Sequence, residues 1–117
     1  MRRGTHAKLL RIHLCESDRH EGKPLYEAIV AKCRELNIAG ATVFRGLEGY
    51  GETAELHRAH LIRHDQPIVI TIVDVPEKLE TLVPAVEAMM DTGLLAISDV
   101  RVVRVEKKRE AAETADG

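Results

Sequence analysis

The stretch Pro67-Ile68-Val69-Ile70-Thr71-Ile72-Val73-Asp74-Val75-Pro76 decides how the rest of the chain is read. Ile68–Val73 is a strand, and its two faces, Ile68/Ile70/Ile72 and Val69/Thr71/Val73, are both largely apolar. A strand of that kind is covered on both sides, within the domain or by a neighbouring subunit. Downstream, Asp74 is placed to cap a helix with Pro76 in its first turn. Leu79, Leu82, Val83, Val86, Met89 and Met90 follow at helical spacing, and Gly93 is expected to end the helix. Pro84 interrupts this pattern and costs about 3 kcal/mol in a regular helix. The expectation is a kink near Glu80–Pro84, or a helix that starts afresh there. Ile97–Val105 reads as a final strand.

Upstream, Ala41–Arg45 is a strand stopped by Gly46, Gly49 and Gly51. Before it, Pro24 opens a helix whose apolar stripe is Leu25, Ile29, Cys33 and Leu36, with Gly40 as its expected terminator. Ser17–Lys23 is polar and reads as a loop. Ala7–Glu16 alternates Leu10, Ile12 and Leu14 against Arg11, His13 and Cys15, the period of a half-buried strand. The order is strand, helix, strand, strand, helix, strand. That order predicts an α+β, ferredoxin-like βαββαβ sandwich: a four-stranded antiparallel sheet with two helices on one face. The opposite face is apolar and uncovered, which calls for oligomerisation. Residues 1–6 and 106–117 read as flexible ends around a domain spanning 7–105, with a long loop at 46–66.

The bulk numbers fit this picture. The chain has 117 residues, enough for one domain, with 44% apolar residues and a net charge of −2 from 17 basic and 19 acidic side chains. That balance argues against a general nucleic-acid or membrane-surface binder. No run reaches the roughly 18 apolar residues of a membrane span, and the basic start lacks the apolar core of a signal peptide. A cytoplasmic protein is expected. Cys15 and Cys33 have no CxxC spacing and read as free, partly buried thiols, with a disulfide or metal role as the alternatives.

The segments Asn37-Ile38-Ala39-Gly40-Ala41-Thr42-Val43 and Gly46-Leu47-Glu48-Gly49-Tyr50-Gly51 resemble the PII-like family known as domain of unknown function 190. His20–Tyr26, Pro67–Asp74 and Asp99–Val103 match it too, in the right order. The chain is more distantly similar to PII signalling proteins. The resemblance implies a homotrimer that binds an adenine nucleotide in clefts between subunits and signals through the 46–66 loop. The positions it carries over are Gly46, Gly49 and Gly51 at the loop base, Thr92 and Gly93 after the second helix, and Arg101 on the last strand. Where PII proteins have a lysine-bearing phosphate loop, this chain has Leu94-Leu95-Ala96-Ile97. AMP or ADP is therefore easier to accommodate than a triphosphate. The resemblance also implies a membrane-transport partner of the fluoride-exporter type.

Lys23, Arg45, Arg101 and Arg104 are the candidate phosphate partners, since arginine suits bidentate contacts and lysine a point charge. Arg19 and His20 approach from the side of Lys23. His57, His60 and His64 would share one face if that segment is helical, which opens an alternative as a metal-binding trimer resembling CutA proteins. A ligand-free trimeric adaptor is the other alternative. No nucleophile elbow, Walker loop or HExxH motif is present, so an enzyme is not expected.

Overall fold

The computed structural model describes residues 4–48 and 65–107. Its elements are β1 (Thr5–Cys15), β2 (Arg19–His20), β3 (Lys23–Pro24), α1 (Leu25–Glu35), β4 (Ala41–Arg45), β5 (Pro67–Asp74), α2 (Pro76–Met89) and β6 (Leu94–Val102). The main sheet runs β4-β5-β1-β6, and every neighbouring pair in it is antiparallel. This is the expected ferredoxin-like sandwich.

The alternation along β1 places Leu10, Ile12 and Leu14 opposite Ile72, Ile70 and Ile68 of β5. All six are buried, and Leu25, Ile29 and Cys33 of α1 and Leu79, Leu82 and Val86 of α2 close over them. Burying side chains of this size contributes about 1.5–3 kcal/mol each, before ordering costs. The other face of the sheet carries Leu9, Val69, Val73, Phe44 and Leu94, and both described helices pack on the opposite side.

Several boundaries differ from the sequence reading, each for a local reason. Helix α1 ends at Glu35, well before Gly40. Asn37 takes the left-handed conformation at φ 59, its N–H donates to the Arg34 carbonyl, and the Ile38 N–H donates to the Cys33 carbonyl. That pair of bonds is the Schellman arrangement, with asparagine doing the work usually left to glycine. The Lys78 ammonium adds a bond of 3.0 Å to the Asn37 carbonyl, a cation at the negative end of the helix. Asp74 does not cap α2. It is still paired in β5, and its two oxygens accept from the Val75 and Ala39 N–H groups, tying the α1–β4 connection to the sheet. Val75 is the cap residue, without a side-chain bond.

Helix α2 continues through Pro84 and does not restart there. It stops at Met89, so Gly93 belongs to the turn that follows. The last strand starts at Leu94, opposite His13, and ends at Val102, whose partner Thr5 is the first residue of β1. Thr5 and His6 are therefore paired, not frayed. Ser17–Lys23 contains a two-residue ribbon, with Glu21 and Gly22 both at positive φ as a type I′ turn requires.

The Asn37 assignment has a direct test. Asn37→Val should lower stability by about 1–2 kcal/mol, the cost of a left-handed residue with a branched side chain. Asn37→Gly should stay within about 0.5 kcal/mol of the natural chain. Urea unfolding of both variants checks the contrast.

Candidate functional site

Three chain connections fall at one end of the sheet: β1 to α1, β4 to β5, and α2 to β6. The turn Glu16–Asp18 is the hub of that end. The Glu16 N–H donates to the Gln66 carbonyl at 2.8 Å, extending the β1–β5 ladder by one rung. Ser17 donates from its N–H to Asp65 Oδ1 at 2.9 Å and from its hydroxyl to Oδ2 at 2.6 Å. Asp65 is 9% exposed, so this carboxylate is buried but bonded through both oxygens. Asp18 accepts from the Cys15 N–H at 2.9 Å, and its carbonyl accepts from the Leu25 N–H that begins α1. Arg45 reaches across the end of β5 and donates to Glu16 Oε2 at 2.7 Å.

Gly46 and Gly93 are needed for different reasons. The Gly46 N–H donates to the Pro67 carbonyl at 2.7 Å, and a Cβ on Gly46 would meet the Pro67 ring at 2.8 Å. Gly93 lies at φ +145, and a Cβ there would collide with the Met90 methyl group and approach the His13 carbonyl at 2.8 Å. The turn at Thr92 and Gly93 lines a recess of about 380 Å³ with Glu87, Met90, Asp91, Leu94 and Leu95. Among the described residues two carboxylates and no cation line it, and the last turn of α2 carries no basic residue. A phosphate in this recess needs its positive charge from elsewhere.

The other sequence candidates are partly brought together. Lys23, Arg45, Gly46, Thr92 and Gly93 share this end of the sheet. However, Arg45 and Leu94 are on opposite edge strands, three strand spacings or about 14 Å apart. Arg101 pairs with His6 at the other end, seven residues or about 23 Å along β6 from Leu94. Gly49, Gly51, His57, His60 and His64 lie outside the described residues. Among the described residues, no group of three or more His, Cys, Asp or Glu is placed to hold a metal ion. Sequence reasoning missed Glu16, Ser17 and Asp65, because nothing in their spacing shows that residues 48 positions apart meet.

Both thiols are free and buried. Burial, then the nearby Asp18 and Asp65 carboxylates, pushes the Cys15 thiol up to about 11, and burial alone raises Cys33. Neither is poised as a nucleophile. Among the described residues, no helix is long and apolar enough to cross a membrane.

A family model matches residues 7–102: DUF190, an uncharacterized ACR. The chain belongs to this family. A UPF0166 protein of Aquifex aeolicus is 37% identical over 98 residues, covering 82% of this chain and 92% of that protein. A UPF0166 protein of Methanocaldococcus jannaschii is 35% identical over 103 residues, covering 86% and 94%. Among solved structures, CPII of Thiomonas intermedia K12, a nitrogen regulatory PII-like protein, has the same fold. Its complex with ADP and bicarbonate superposes with a TM-score of 0.58 at 23% identity, over 86% of this chain and 91% of that one. The complex with ADP, AMP and bicarbonate gives 0.57 at 22%, over 86% and 93%. The DUF190 chain is thus PII-like in architecture, as the resemblance implied.

Two outcomes follow from this geometry. Gly93→Ala should destabilise by more than about 1 kcal/mol, through left-handed strain and the two close contacts. Gly40→Ala, with no atom within 4 Å of the new methyl, should be neutral or stabilise by up to about 1 kcal/mol in a thermal melt. The second outcome concerns the Cys15 thiol. Its folded-state value lies above the ordinary 9.0, so the folded chain holds the proton longer than the unfolded one. Stability from this group is complete below pH 9 and falls as pH rises towards about 11. Maleimide labelling at pH 7.5 should accordingly be slow in the folded protein and fast in urea.

Proposed function

We propose that this chain is a non-enzymatic PII-like regulatory protein that binds an adenine nucleotide, AMP or ADP, in clefts between the subunits of a trimer. The observation that carries the reading is the placement of Lys23, Arg45, Gly46, Thr92 and Gly93 at one end of the sheet. Arg45 and Gly46 stand at one edge and Thr92 and Gly93 beside the other, too far apart for one protomer to close a cleft around a phosphate. A neighbouring copy that brings its edge strand alongside would complete the set, and would supply Arg101 to the cation-poor recess. The PII-like protein CPII, of the same architecture, is bound to ADP and AMP in its solved structures. Such ligands fit a site lacking the triphosphate loop of PII proteins.

The bare sheet face supports the trimer in this reading. Phe44 and Leu94 are 54% and 56% exposed, an arrangement that a second copy relieves. In the proposed signalling step, the ligand biases the 46–66 loop, whose two stems meet at the Glu16–Ser17 turn, and the loop reports to a protein partner. The partner class proposed, on the family resemblance, is a membrane-transport protein of the fluoride-exporter type. Catalysis has no support in the described site, where Asp65 is committed to Ser17 and both thiols are held neutral.

Thermal unfolding with AMP, ADP, ATP, Zn²⁺ and Cu²⁺ is the test. A ligand at 100 times its dissociation constant stabilises by about 2.7 kcal/mol, so AMP or ADP should raise the melting temperature clearly. Arg101→Gln should abolish most of that shift while sedimentation still reports three chain masses. A response to metal alone, with none to nucleotide, would sink the reading.

A further inference from the structure

Arg45 is not waiting empty for a ligand. Its guanidinium already holds the Glu16 carboxylate at 2.7 Å, a charge-assisted bond made with the two side chains 50% and 36% exposed. Ion pairs this open to water are weak and readily exchanged. Glu16 is nevertheless not an ordinary surface partner, because its backbone is fixed on both sides. Its N–H is bonded to the Gln66 carbonyl, and the next residue, Ser17, is bonded twice to the buried Asp65. The carboxylate is therefore tethered beside Arg45 at a high effective concentration.

An incoming anion has to better that tethered carboxylate. A monocarboxylate offers the same charge and geometry and gains nothing by the exchange. A phosphate group carrying two negative charges gains both Coulomb energy and a third acceptor oxygen. A nucleoside without phosphate has nothing to present to Arg45. We propose that Glu16 is a specificity-determining residue of the ligand site, an internal counter-ion that only a dianionic phosphate displaces from Arg45. The inference rests on the proposed nucleotide reading and names the residue that sets its charge requirement. It also gives the displaced contact a consequence. Arg45 ends β4 and Asp65 precedes β5, so both stems of the intervening segment are fastened to the Glu16–Ser17 turn, and the ligand undoes the Arg45 fastening alone.

The experiment is titration calorimetry of the full chain and of Glu16→Gln with ADP, AMP, inorganic pyrophosphate and adenosine. Glu16→Gln keeps the size of the side chain and removes its charge. It should tighten ADP and pyrophosphate by about three- to tenfold and leave adenosine unchanged. Glu35→Gln, which removes the same charge at the far end of α1, should change nothing. In the double variant with Arg45→Gln, the gain from Glu16→Gln should vanish. If nucleotides bind the natural chain and Glu16→Gln alters their affinity by less than twofold, the inference is overturned and the nucleotide reading stands. If pyrophosphate tightens in Glu16→Gln while no nucleotide binds, the inference holds and the adenine reading falls. If no probe binds either protein, both fall.

Discussion

Leu10, Ile12 and Leu14 of β1 stand opposite Ile72, Ile70 and Ile68 of β5, and these six buried side chains form the floor on which both helices rest. The register is strongly specified. A slip of one residue would turn Arg11 and His13 into the core and put the leucines on the open face. With β1 and β5 central, the hairpin from β4 and the crossover to β6 can only attach at the edges, and the order β4-β5-β1-β6 follows. Two helices cover two strands well and four strands poorly. That is why Val43 on β4 and Ile97 on β6 remain exposed even on the helical side of the sheet.

The same topology gathers the candidate site. In this strand–helix order the β1–α1, β4–β5 and α2–β6 connections share one end, whatever their sequences. The chain uses that coincidence by making the first connection a fixed point. Glu16, Ser17 and Asp18 bond respectively to Arg45, to Asp65 and to the start of α1. Asp65 carries the most weight here, because a buried carboxylate is tolerable only when both oxygens are satisfied. At the other end, Asp74 and Lys78 perform a similar service by holding the α1–β4 connection against β5 and α2. The recess beside Gly93, by contrast, is open and lined by Glu87 and Asp91, and Arg101 on β6 lies about 23 Å away in the same chain.

Much of the fold was legible along the chain. Period-two alternation marked β1 and the apolar run marked β5, because a face against the core leaves that trace in any sequence. Helix ends were less legible. Gly40 is the commoner terminator, yet Asn37 ends α1, since the last turn closes wherever a left-handed residue first meets carbonyls in need of donors. Asp74 looked like a cap because it precedes Pro76. In the structure it belongs to the strand, where pairing with Lys8 sets its direction. The residue pattern starts β6 at Ile97, three residues after its true start at Leu94, for its limits are set by the length of β1 and not by its own composition.

The sequence by itself determined the order and type of the six main elements, the two-layer architecture, the apolar second face of β5 and the family, all of which rest on local periodicity or contiguous motifs. Only the tertiary structure decided which charged residues are already spoken for. It showed Arg45 engaged by Glu16, Asp65 by Ser17, and Arg101 at the far end from the glycine turns. The reason is physical. Side-chain pairing depends on which strand ends lie side by side, and antiparallel register sets those neighbours across 29 and 48 positions of chain, distances over which a pattern of residue types carries no signal.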